Sequence, residues 1–221
     1  MSQEIKIEKK ASEVIQPTNL QEARQAITTR QDLSGAKLTG MELKNINAVG
    51  AVLRKTDLSS ANISKSLLIS PNFYKASLYN TAAHNTIIVS GDLVKTSFTK
   101  ADLSRSAIIG SNAKEASFVD TNLSHAALVG SNFQDADFTR ANLANARLTG
   151  VNVGGADFTD ANFTGARAQG VNWEQAKVPP EFTPEPLCKL PLWAWSALLG
   201  GLVGMIVLIL YAIFQKKSKR P

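Results

Sequence analysis

ADFTRANLANARLTG, residues 136–150, is the stretch from which the rest of this chain is read. An apolar residue stands at Phe138, Leu143 and Leu148, a small one two positions earlier at Ala136, Ala141 and Ala146, with Asp137 and Asn142 between. Working outward, the phase holds from Asp32 to Val178 without an insertion. The apolar centre falls at Leu33, Leu38 and Leu43 and again at Phe158, Phe163, Ala168 and Trp173, giving 29 consecutive pentapeptides of consensus A-[D/N]-[L/F]-x-x. Neither the 3.6-residue period of a helix nor the alternation of a strand produces a fivefold pattern, so the stretch is a repeat architecture before it is anything else.

These modules, among them AspLeuSerSerAla at 57–61 and AsnLeuAlaAsnAla at 142–146, resemble the pentapeptide-repeat family over about two thirds of the chain. The resemblance implies an all-β solenoid, a right-handed quadrilateral β-helix with one pentapeptide on each side and four in each coil. In such a rod the centres point inward and stack on those one coil away, and small residues turn inward where bulk does not fit. At the spacing of adjacent strands, the 29 modules make a rod about 35 Å long.

Around the rod the chain divides into a tail and capping helix (1–31), the solenoid (32–178), a linker (179–191), an apolar segment (192–214) and a basic tail (215–221). Thr18 or Asn19 is placed to cap a short helix running to about Arg30, with Leu20, Ala23 and Ile27 on one face and Glu22 near its positive end. Solenoid ends need such a lid because their last layer is otherwise unpaired. The linker carries Pro179, Pro180, Pro184, Pro186 and Pro191, a density that favours an extended spacer.

Leu192 to Phe214 is 23 residues without a charge, about 34 Å as a helix and enough to span a bilayer. Trp193 and Trp195 at one end, and Tyr211 with Lys216, Lys217, Lys219 and Arg220 at the other, are expected as membrane-interface anchors. Ser196, Gly200 and Gly204 have the small-xxx-small spacing that lets two spans pair. The expected location is therefore a membrane, with a single C-terminal anchor. The basic tail favours a rod outside and the missing export signal favours a rod in the cytoplasm; the second weighs more. The family resemblance points to a bacterial inner or photosynthetic membrane.

The net charge of +6 shrinks on division, since four positive charges sit in the last six residues. Leu33 to Lys177 holds 14 basic and 11 acidic residues, so the rod carries too little charge to argue for nucleic acid. Sorting modules by their remainder on division by 20 gives the four sides. One carries Arg54, Lys55, Lys75, Lys95 and Lys114, which is either a solvated face or a contact for an acidic partner or anionic lipid. Another carries Val49, Ile69, Val89, Ile109 and Val129 after its centres and Leu67, Ile87, Ala107 and Ala127 before them, until Thr149 and Gln169 end the stripe. Exposed apolar area of several hundred Å² calls for a cover, whether a second copy, another protein or lipid.

His84 and His125 lie two coils apart on one side, roughly 10 Å, too far to share a metal. The Asp and Asn residues before the centres are read as corner formers that bond nearby backbone rather than as paired catalytic carboxylates. No phosphate loop, nucleophile elbow or metal-spaced Cys/His cluster occurs in the sequence. The expected function is a non-enzymatic, membrane-anchored scaffold without cofactor or metal. It would bind partner subunits or another copy of itself through the apolar side, and no nucleic-acid partner is expected. A peripheral, lipid-facing solenoid is the alternative. Mimicry of DNA against a topoisomerase, which the family resemblance also brings in, needs a strongly negative surface that this rod lacks.

Overall fold

The computed structural model describes residues 14–177 together with 179 and 180. One helix, α1 (Leu20–Thr28), is followed by seven three-residue strands. These are β1 (Asn47–Val49), β2 (Leu67–Ile69), β3 (Ile87–Val89), β4 (Ala107–Ile109), β5 (Ala127–Val129), β6 (Arg147–Thr149) and β7 (Arg167–Gln169). The strands pair in parallel in the order of the chain, with every partner 20 residues away, as Val49 with Ile69 and Ile69 with Val89. The other three sides make single parallel bridges with the same step, such as Lys37 with Asp57 and Asp57 with Ser77. Four pentapeptides therefore complete one coil.

Three physical devices turn the five-residue pattern into this coil. The centres from Leu33 to Phe158 are all buried, and on one side Leu38, Leu58 and Leu78 give way to Phe98, Phe118, Phe138 and Phe158. Those four rings stack with centroids 4.7–5.0 Å apart and planes within 14° of parallel. The spacing follows from the distance between coils, which is also the distance at which offset rings attract. Two residues before a centre the side chain also faces inward, so Ala dominates. Where Thr stands there instead, as at Thr56, Thr81, Thr96 and Thr121, its hydroxyl donates to the carbonyl of a centre 23 residues earlier at 2.7–2.8 Å. These buried threonine hydroxyls are thereby satisfied inside the wall.

The third device is the corner. Every fifth residue from Arg30 to Gly170 is left-handed, with φ between 49° and 74°. Twenty of these 29 positions are not glycine, so the coil demands the conformation and the side chain tolerates it. None is β-branched, the class for which a positive φ is most strained. Asp and Asn residues before the centres at the corners accept from the amide two residues on, as Asp57 from Ser59 at 3.0 Å and Asn142 from Ala144 at 3.1 Å. These residues do form the corners, by the bond that makes Asx turns favourable.

The side holding β1–β7 differs in the corner that follows it. On the other sides the amide three residues after a centre generally donates back to that centre, as Thr96 to Leu93 at 3.1 Å, although Ile46 bonds the Ser66 hydroxyl at 3.0 Å instead. Here Gly91 and Ser111 instead donate across the coil to the hydroxyls of Ser111 and Ser131 at 3.0 and 3.1 Å. The equivalent residue Pro71 has no amide hydrogen to place. Freed from the turn, the backbone stays extended for three residues and continuous strands result.

At the N-terminal end Asn19 caps α1, accepting from the Glu22 amide at 2.9 Å, while the Glu22 carboxylate takes the Thr18 amide and hydroxyl at 2.7 and 2.9 Å. This is a variant of the capping box in which Glu22 reaches past the cap to the residue before it. Ala23, Ala26 and Ile27 are buried against the first coil. Leu20, expected on that face, is 40% exposed, because the packed stripe begins one turn later. Val14 bridges to Asp32, so the coil borrows a piece of the segment read as tail. At the other end a 3-10 turn, Trp173–Gln175, follows β7, with Trp173 half-buried and edge-on to Phe158 and Phe163 at 5.5 and 5.7 Å.

The expected membrane localisation is overturned. Among the described residues no helix is long and apolar enough to cross a membrane. The nine residues of α1 reach about 13 Å, under half of a hydrocarbon core. The segment on which the expectation rested, 192–214 with Trp193, Trp195, Ser196, Gly200, Gly204 and Tyr211, lies outside the described residues, as do Lys216, Lys217, Lys219 and Arg220. The linker is described only at Pro179 and Pro180.

Candidate functional site

Strand alternation decides what the wall of β1–β7 shows to its surroundings. The middle residues Ala48, Leu68, Ile88, Ile108 and Leu128 face inward and are buried, so the flanking residues face out. In-register pairing lines the residues before the centres into one row, Asn47, Leu67, Ile87, Ala107, Ala127, Arg147 and Arg167. The residues after the centres form a second row, Val49, Ile69, Val89, Ile109, Val129, Thr149 and Gln169. Two ridges about 7 Å apart thus run along the stack with a furrow of backbone between them.

Across β1–β5 the second ridge is wholly aliphatic and its residues are half-buried. They flank one another at the strand spacing, so much of their surface is already covered by coil neighbours. On the first ridge Ile87 is 42% exposed, while Leu67, Ala107 and Ala127 are half-buried. At β6 and β7 the character changes: Arg147 and Arg167 are exposed and in register, beside a buried Thr149 and a half-buried Gln169. Sorting by apolarity ends the stripe at Thr149 and passes over the two arginines. The same sorting by 20, applied to charge as well, brings them out.

The basic side is built differently. Lys95 Nζ lies 3.1 Å from Glu115 and Lys114 Nζ 3.9 Å from Asp135, each pair joining neighbouring coils. The hydrogen bond to Glu115 holds the Lys95 ammonium above the usual lysine range. The Arg54 guanidinium and the Lys75 ammonium both sit against the Tyr74 ring, 5.4 and 5.2 Å from its centroid. Lys55 shares the corner row with Lys75 and donates its amide to the Tyr74 carbonyl at 2.9 Å. Four of the five cations therefore already have partners within the rod. His84 Nδ1 stands 3.6 Å from Asp102, and among the described residues no group of three or more His, Cys, Asp or Glu is placed to hold a metal.

A model described as a pentapeptide repeat region matches residues 84–158, and one described as pentapeptide repeats (8 copies) matches 32–68 and 156–177. The chain belongs to the pentapeptide-repeat family. Among solved structures, it is similar to the plasmid-mediated fluoroquinolone resistance protein QnrB1 at 20% identity. That match covers 77% of this chain and 95% of the other, with a TM-score of 0.61, and shows the shared fold alone. It is also similar to HetL from the cyanobacterium Nostoc, a pentapeptide repeat protein involved in heterocyst differentiation regulation. There the identity is 28%, with 68% of this chain and 69% of that one covered and a TM-score of 0.41. A pentapeptide repeat protein of the Arabidopsis thaliana thylakoid lumen matches at 22% identity over 54% of this chain and 73% of its own, with a TM-score of 0.31. No curated protein sequence matches.

The wall offers aliphatic rows and guanidinium groups and, among the described residues, no cluster of acid, base and nucleophile.

Proposed function

We propose that this pentapeptide-repeat protein is a non-enzymatic protein-interaction scaffold that presents the aliphatic rows of β1–β5 to a protein partner. The observation that carries the reading is the register itself, which sets Val49, Ile69, Val89, Ile109 and Val129 on one line beside Leu67, Ile87, Ala107 and Ala127. Fixing them on a rigid stack removes most of the ordering cost that a flexible surface pays on association. Covering aliphatic surface releases roughly 25 cal/mol for each Å² taken from water. The basic side supports such a role less well, since Lys95 and Lys114 already hold acids and Arg54 and Lys75 already hold Tyr74.

The test is the double substitution Ile69→Lys with Ile109→Lys in the full chain. Both side chains face outward, so the far-ultraviolet circular dichroism should be kept, while a cross-linked oligomer or co-purified protein should be lost. A lysine forced into a dry contact costs several kcal/mol. Assembly that survives both lysines removes the wall from the account.

A further inference from the structure

Sorting the rod's charges by wall separates this side from the others. The segments 45–50, 65–70, 85–90, 105–110, 125–130, 145–150 and 165–170 make up the wall and its two corner rows. They contain Lys65, Arg105, Arg147 and Arg167 and no Asp or Glu. All 11 acidic residues between Leu33 and Lys177 lie on the other walls. Four of them meet cations one coil away there, in the pairs Lys95 with Glu115, Lys114 with Asp135, Arg140 with Asp120 and Lys177 with Asp157. None of the ion pairs among the described residues involves Lys65, Arg105, Arg147 or Arg167. Arg147 and Arg167 moreover face each other across adjacent strands, an arrangement of like charges that works against the sheet.

From the scaffold reading, on which this step rests, we infer that the wall binds an acidic amphipathic helix of a different protein, its aliphatic face on β1–β5 and its carboxylates on Arg147 and Arg167. Length and shape fit. Six strand spacings give about 29 Å, which matches roughly 19 residues of helix. The furrow between the two ridges is the width of a single row of helix side chains. Arginines in register suit carboxylates, which they can hold through paired N–H donors.

Charge argues against a second copy of this chain. Wall against wall in either direction doubles the cations and adds no carboxylate, and like charges brought together in an interface repel. The same wall holds no Trp or Tyr, the rings that sit at the headgroup level of a bilayer. A polypeptide partner is thus the occupant that satisfies both the apolar rows and the unmatched positive charge.

The probes are two synthetic 20-residue helical peptides with one common Leu/Ala face. One carries glutamates along its flank and last turn, and the other carries lysines there. Fluorescence anisotropy with the full-length chain should show the glutamate peptide binding at least tenfold more tightly, with that advantage shrinking as salt rises. Arg147→Glu with Arg167→Glu should reverse the preference, and Ile69→Lys with Ile109→Lys should abolish binding of both peptides while circular dichroism is unchanged. Equal affinity of the two peptides leaves the apolar scaffold standing and overturns the acidic partner. Glutamate-peptide binding that survives Ile69→Lys with Ile109→Lys overturns it too, since the contact then lies elsewhere. Binding of neither peptide refutes both this inference and the scaffold wall. Capture of phosphatidylserine vesicles without either peptide assigns the surface to lipid. A dimer of the chain dispersed by Ile69→Lys with Ile109→Lys assigns it to a second copy. Each of these last two results overturns the inference.

Discussion

Truncating Phe118 to alanine tests whether the rod is held by its stacked interior. Phe118 is fully buried, with Phe98 stacked on one face at 5.0 Å, Phe138 on the other at 4.7 Å, and Phe133 edge-on at 5.7 Å. Removing a buried ring from a core that cannot close around the gap costs about 3–5 kcal/mol. Loss of two stacked contacts, each worth about 0.5–1.5 kcal/mol beyond area, places this site at the upper end of that range. The coils above and below are fixed by their own hydrogen bonds, so little collapse is available. Phe118→Leu should cost only about 1–2 kcal/mol, because Leu58 and Leu78 fill the same position in earlier coils. Phe163→Ala is the internal control: it is half-buried and makes only edge contacts, to Phe158 and Trp173, so it should cost less than half as much. Equilibrium urea unfolding of the full chain, followed by far-ultraviolet circular dichroism, measures all three. A Phe118→Ala loss below about 2 kcal/mol, or one equal to that at Phe163, refutes the claim that the stack carries the rod.

Two further outcomes concern polar groups. Thr96 donates its hydroxyl to the Phe73 carbonyl at 2.8 Å, whereas Ser106, at the equivalent inward position, has a buried hydroxyl with no partner among the described residues. Thr96→Ala should therefore destabilise by about 1–3 kcal/mol, while Ser106→Ala should be neutral or stabilising by up to about 1 kcal/mol; thermal unfolding that ranks them the other way contradicts the satisfied-wall account. Asp57 is held below the ordinary carboxylate range first by the Ser59 hydroxyl and then by its amide, and Asp157 likewise by Thr159. A depressed folded value means stability that is present above the unfolded carboxylate value, about 3.9, and is lost as pH falls through the folded one. Asp57→Asn with Asp157→Asn keeps the acceptor for the amide and removes the titration, so its stability should fall less steeply below about pH 4; an unchanged acid profile in urea melts excludes these carboxylates as the cause.

The inward residues and the aliphatic rows were legible because the period of five is preserved without insertion. Once Leu33, Leu53 and Phe73 share a remainder on division by 20, every outward residue is assigned to a side. The Asx corners at Asp57 and Asn142 were legible for the same reason, since their role needs only the amide two residues on. Other features were not. That Lys95 and Lys114 are neutralised follows from which acid the coil step sets beside them, Glu115 and Asp135. Leu20's exposure follows from where the first coil stops. The membrane expectation rested on local hydropathy in a segment outside the described residues.

By itself the sequence determined the phase, and with it the small inward residues, the stacked centres and the single side on which aliphatic residues recur every 20 positions. This is possible because a solenoid repeats one local rule, so residue number converts directly into height and side. Only the tertiary structure decided that one side alone forms continuous strands, that 20 corners hold left-handed residues other than glycine, and that charges pair on some walls and stand unmatched on another. Those outcomes depend on contacts between coils, where the spacing of the hydrogen-bonded stack, rather than the identity of any one residue, chooses the partners.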